Sequence, residues 1–126
     1  MPEPRDFHIS DILSITTGIL VSTSGKHPID GVYGILNHMT GDSLMTHQLP
    51  RASKAARPLL LSQHPQLAGA DASGLGPETY RAWVDQQSAL FGERLPVIPM
   101  PEGAWYHQNP IDELAAMIGP ERTVLV

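Results

Sequence analysis

The chain is predicted to fold as an α+β domain: helix-rich, with a small sheet and a strand–helix–strand unit at its C-terminal end. Three observations lead there. Apolar residues recur at helical spacing between proline and glycine punctuation, the extended runs are short, and 126 residues suffice for one core but not two. Residues 1–126 therefore read as a single globular domain, with residues 1–5, which carry two prolines, as a frayed terminus.

Phe7-His8-Ile9 is a short extended piece, after which Ser10 can cap a helix with Asp11 in its first turn and Gly18 at its end. The β-branched run Ile15-Thr16-Thr17 limits that helix to about two turns. Ile19-Leu20-Val21 is a strand or a buried exit, and Ser22-Thr23-Ser24-Gly25-Lys26 is loop by composition. Pro28 then opens a second helix, with Ile29, Val32, Tyr33, Leu36 and Met39 on one face and Gly41 as its stop. Gly31 and Gly34 weaken this helix and imply that a backbone or a ligand approaches closely there.

Thr46 can cap a third helix running from about Pro50 through Ala56, which Pro58 should kink or restart and which should stop before Pro65. Residues 66–76 form the longest expected loop. Pro77 and Glu78 open a helix whose face of Tyr80, Trp83, Val84, Gln87, Leu90 and Phe91 should pack the core, closed by Gly92. Leu95-Pro96-Val97-Ile98-Pro99 is an edge strand because proline cannot donate to a ladder. Asn109 caps and Pro110 opens a last helix, with Leu114, Met117 and Ile118 inward and Gly119 as its end, and Thr123-Val124-Leu125-Val126 reads as a terminal strand. If these two strands are parallel neighbours, the crossover between them is right-handed.

Net charge is −5, and it is unevenly spread: residues 1–64 balance five carboxylates against five cations, whereas residues 65–126 hold eight carboxylates against three arginines. An acidic second half makes nucleic acid an improbable partner and suits a basic protein, although the same charge also serves plain solubility. The absence of cysteine excludes disulfides, thiolate metal sites and cysteine nucleophiles. With no charged-then-apolar leader and no apolar run near membrane-spanning length, the expected location is cytoplasmic, away from membranes.

The densest polar segment is residues 31–52, and its candidate ligand-binding residues are Tyr33, Asn37, Asp42, His47 and Arg51. His38, His47 and His64 invite a metal or acid–base reading, since imidazole titrates near neutrality and binds transition metals. Their spacings match no metal signature, so no metal and no cofactor is assigned; the alternative is that these rings brace turns. Arg51, Lys54 and Arg57 recur every three residues and could meet phosphates, or form a solvated face with Arg51 anchoring a carboxylate. Hydroxyls at Ser14, Thr16, Thr17, Ser22, Ser43 and Thr46 lack the strained turn and oxyanion site that a nucleophile needs, so no catalytic residue is assigned. Trp105 and Tyr106, with Glu102 beside them, form an aromatic loop that either stands outward as an interface anchor or folds back as a lid.

The segment pattern GVYxILNxMTGDxLxTHQLPRA over residues 31–52, with Asp11-Ile12-Leu13-Ser14-Ile15-Thr16-Thr17-Gly18 before it and Gln63-His64-Pro65 after it, resembles a family of small uncharacterised proteins of bacteriophages and prophages. The resemblance carries no catalytic residues. It implies a mobile-element origin and hence a non-enzymatic protein that binds and inhibits a host defence complex, of the anti-CRISPR or another anti-defence type. The competing expectation is a small-ligand- or metal-binding protein, or a hydrolase, centred on His47, Arg51, Asp42 and Tyr33.

Overall fold

A computed structural model describes residues 3–23, 26–101, 103–105 and 109–118. In chain order these form β1 (Arg5–His8), α1 (Ile9–Thr17), α2 (Pro28–Thr40), a 3-10 turn at Thr46–Gln48, α3 (Leu49–Gln63), a second 3-10 turn at Pro65–Gly69, α4 (Tyr80–Phe91), β2 (Arg94–Val97) and α5 (Pro110–Ile118). The architecture is the expected helix-rich α+β type. Among the described residues its sheet is a two-stranded antiparallel ribbon of β1 and β2, with Arg5 opposite Val97 and His8 opposite Arg94. Arg5 is thus part of a strand rather than of a frayed end. The expected partner of β2, residues 123–126, lies outside the described residues, as does the expected stop at Gly119.

α1 is the centre of the molecule. Seven consecutive residues, Ile9 through Ile15, are buried, because β1, α2, α3 and α4 all pack around this one short helix. Its apolar side joins Ile35, Leu36 and Met39 of α2 and Leu60 of α3 in the core. The helix begins two residues earlier than expected: His8 is its N-cap, with Nδ1 accepting the Ser10 backbone N–H at 3.1 Å. Gly18, left-handed at φ 76°, ends it where the sequence places the end.

The polar side of α1 is buried too, and each group on it has a named partner. Ser14 Oγ donates to the Ser10 carbonyl and accepts the Val21 N–H at 3.0 Å. Ser10 Oγ accepts the Thr23 N–H at 2.9 Å, and the Ser22 hydroxyl donates to Asp11 Oδ1 at 2.5 Å. Residues 19–23 are therefore not a strand. They are an extended exit stitched to α1 by its own hydroxyls, with Val21 and Ser22 inside and Ile19 and Leu20 outside. A close approach does occur at Gly31, but of side chains rather than of a backbone or a ligand: a Cβ there would lie 2.0 Å from Asp11 Oδ1 and 2.4 Å from Ser22 Oγ.

Two expectations are corrected. Pro58 does not end and restart a helix: α3 runs through it as one 15-residue element. Its missing N–H would have met the Lys54 carbonyl, and Lys54 and Pro58 are both exposed, so the released carbonyl can be hydrated. α4 packs against the core as expected, with Val84 buried and Tyr80, Trp83 and Phe91 half-buried against it, but it begins at Tyr80 after a turn at residues 77–79 and leaves Leu90 at 70% exposure. Val84 and Leu90 are six positions apart, about 120° around a helix of 3.6 residues per turn, so one packing face cannot hold both.

Gly31→Ala forces a methyl group into the Asp11–Ser22 hydrogen bond. It should lower the free energy of unfolding by about 3 kcal/mol, the upper end of overpacking penalties, as a reduced urea midpoint. Gly34→Ala, whose nearest neighbour is a Phe7 ring carbon at 4.0 Å, should be neutral or stabilising.

Candidate functional site

The turn between α2 and α3 collects most of the residues marked out by the sequence. Gly41, left-handed at φ 70°, stops α2, and the chain returns through residues 42–48 into α3. Asn37 Oδ1 accepts the Leu44 N–H at 3.0 Å, Gln48 Oε1 accepts the Met45 N–H at 2.9 Å, and Tyr33 bonds the Thr46 hydroxyl. Tyr33 and Asn37 therefore shape the turn from its α2 side. His47 is half-buried within it.

Arg51, one turn into α3, points across this turn to α5. Its Nη2 donates to Glu113 Oε1 at 2.8 Å, and Gln48 Nε2 reaches the same oxygen at 3.4 Å. The guanidinium stacks on Trp105, 3.9 Å from the ring centroid, while the indole N–H donates to Asp42 Oδ2 at 3.2 Å. Asp42, Arg51, Trp105 and Glu113 thus form one chain of contacts that fastens α5 and its preceding loop to the body of the fold. Of the two placements open to Trp105, outward anchor or lid, it takes the second: it is half-buried and closes over Arg51. Glu102 and Tyr106, proposed beside it, lie outside the described residues.

Sequence reasoning missed Glu113 as a member of this site. It is only 7% exposed although it lies in the first turn of a terminal helix. The Arg51 hydrogen bond holds its carboxyl below the ordinary value of 4.5, against the opposing effect of burial and with help from Gln48 and the charge of His47. The one available signal was Arg51 itself, read as an anchor for a carboxylate whose identity spacing could not supply.

The three histidines proposed together do not meet. His38 Nε2 donates to the Val97 carbonyl at 2.8 Å and His64 Nε2 to the Pro96 carbonyl at 2.6 Å, so two of them brace successive carbonyls of β2. Gln63 completes the clasp with paired hydrogen bonds to Ile98, 3.0 Å and 2.8 Å. Among the described residues no group of three or more His, Asp or Glu side chains is placed to hold a metal ion. The hydroxyls of Ser14, Ser22 and Thr46 are likewise bonded to backbone, to Asp11 and to Tyr33.

The expected cationic stripe of α3 also splits. Steps of three residues drift by about 60° per step, so Arg51 faces α5 while Lys54 and Arg57 turn toward α1. There they border a cavity of about 560 Å³ whose aliphatic walls are Ile15, Leu20, Ile29, Val32 and Leu49, with Ser14, Thr46 and Ser53 also lining it. A second cavity, about 400 Å³, lies on the other side of residues 19–21, between Ile19, Leu20, Leu75, Pro77 and Tyr80. Leu20 is common to both. It is 48% exposed, with Ile19 at 39% and Ile29 at 37%.

Residues 7–70 match a family model described as a domain of unknown function (DUF7736). That span is half of the chain, and the chain belongs to this family. It contains α1 to α3 and every residue lining the larger cavity, but neither β2 nor α5. No curated protein and no solved structure matches the chain.

Arg51→Ala leaves Glu113 buried without its strongest partner. It should cost about 2 kcal/mol, less than for a fully buried pair because Arg51 is one-third exposed. Since Glu113 titrates below its ordinary value, its contribution is complete at neutral pH and is lost as pH falls from about 4.5 through the folded-state value. Urea unfolding of wild type and Glu113→Gln from pH 7 to pH 3 should therefore show stabilities that differ at neutral pH and converge in acid.

Proposed function

We propose that this protein works by binding another protein and not by turning over a substrate. The observation that carries the reading is the apolar ridge of Ile19 and Leu20, exposed between two cavities that both include Leu20. A chain of this size that leaves adjacent large aliphatic side chains outside, flanked by grooves, has the surface of an interaction module. The polar constellation gives no competing support for chemistry: Arg51, Asp42 and Trp105 engage α5 and its loop, Tyr33 and Asn37 engage a turn, and His38 and His64 engage backbone carbonyls.

The resemblance to bacteriophage and prophage proteins extends the reading to a purpose. A small non-enzymatic binder of a mobile element acts by occupying a surface of a host complex, and host defence complexes are the targets for which such blocking is selected. In that role the protein works in the host cytoplasm, and no helix among the described residues is long and apolar enough to cross a membrane.

Affinity capture of the tagged protein from its host, read by mass spectrometry, tests this directly. Wild type should retain a partner in stoichiometric amount. Leu20→Asp, a change at a half-exposed position that should leave the melting temperature within a few degrees, should lose it. Capture unaffected by Leu20→Asp would show that the ridge is not the binding surface.

A further inference from the structure

We infer that the larger cavity takes an acidic, aliphatic peptide segment of the partner: Leu- or Ile-type side chains in the groove, with Asp or Glu beside them. The inference rests on the binding reading above and supplies the chemistry of the occupant. The walls are mainly aliphatic, interrupted by Ser14, Thr46 and Ser53, and the charged groups among the lining residues are Lys54 and Arg57, with no carboxylate among them. In a protein of net charge −5 this is a local reversal of sign.

Neither cation is neutralised by an ion pair to a carboxylate among the described residues. Arg57 is nevertheless fixed in place: its Nε donates to the Ile15 carbonyl at 2.9 Å, at the C-terminal end of α1, which leaves its other N–H groups for a ligand. Gly18 permits this position, since a Cβ there would lie 3.0 Å from Arg57 Nη2. Lys54, exposed on α3 one turn earlier, supplies a second, mobile positive charge.

A nucleic acid fits these walls poorly, because no aromatic side chain lines the groove to stack a base. A small ligand would use one cavity, whereas the apolar surface continues over Leu20 into the second. A peptide laid across the ridge meets both, with aliphatic anchors on either side of Leu20 and carboxylates toward Lys54 and Arg57.

Selection from a displayed random-peptide library on the immobilised full-length chain tests the occupant without knowledge of the natural partner. Peptides enriched on wild type should pair Leu or Ile with flanking Asp or Glu and should bind more weakly as salt is raised. Lys54→Glu should reduce the affinity of those peptides about tenfold and shift newly selected flanks toward Lys and Arg. Aliphatic peptides without acidic flanks, lost on Leu20→Asp, would overturn the acidic occupant and leave the binding surface standing. Acidic peptides that Leu20→Asp still retains would overturn the surface itself, and no enrichment on wild type would overturn the occupant.

Discussion

The hydrogen bond between Ser22 and Asp11, with Gly31 pressed against it, is the contact on which the rest of the arrangement depends. A carboxylate this deeply buried is stable only when its oxygens are engaged, and the Ser22 hydroxyl engages one of them. Bringing Ser22 inward requires the exit from α1 to double back along the helix, which Ser10 and Ser14 secure by accepting backbone N–H groups at positions 23 and 21. That return path in turn brings α2 against α1 at a separation only glycine allows. One polar seam thereby sets the spacing of the two helices, the course of residues 19–23 and the outward display of Leu20.

The histidines illustrate how polar residues in a small domain are consumed by the fold. Among the described residues β2 pairs with β1, and the carbonyls of residues 96–98 are met by side-chain donors. His64 from the end of α3 meets Pro96 and Gln63 meets Ile98 on the edge turned away from β1, and His38 from α2 adds a donor to the Val97 carbonyl. Pro96 can offer no N–H on that edge, and its carbonyl is held by a side chain. α5 is fastened by a different device, an ion pair stacked under an indole, and the two devices together tie the chain after residue 92 to the helical body.

Fold class, the starts of α2 and α5, and the glycine stops at Gly18, Gly41 and Gly92 were legible because each follows from local backbone chemistry. Proline opens a helix and left-handed glycine closes one whatever surrounds them. The pairing of β2 with β1 was not legible, since residues 5–8 and 94–97 are far apart in sequence and carry no alternating pattern to announce a ladder. The roles of Arg51 and the histidines were half legible: their types promised anchors and braces, but Glu113 and the carbonyls of β2 are long-range partners that spacing cannot name. At Pro58 the expected restart does not occur, because the helix continues where the carbonyl that loses its donor lies on an exposed side and can be met by solvent.

The exposed ridge and the buried seam are consequences of one turn. Gly18 ends α1 with a positive φ, and the two residues after it swing outward before Val21 and Ser22 return inside. Ile19 and Leu20 are therefore held at both ends, by the cap of the most buried helix and by the hydroxyls of that same helix, so their display costs little further ordering when a partner arrives. The cation at Arg57 is set by the same turn, through the Ile15 carbonyl and the space left at Gly18. A surface assembled in this way, apolar ridge and fixed positive charge on one rigid base, is suited to recognition by shape and charge, and it sits in the half of the chain from which the excess negative charge is absent.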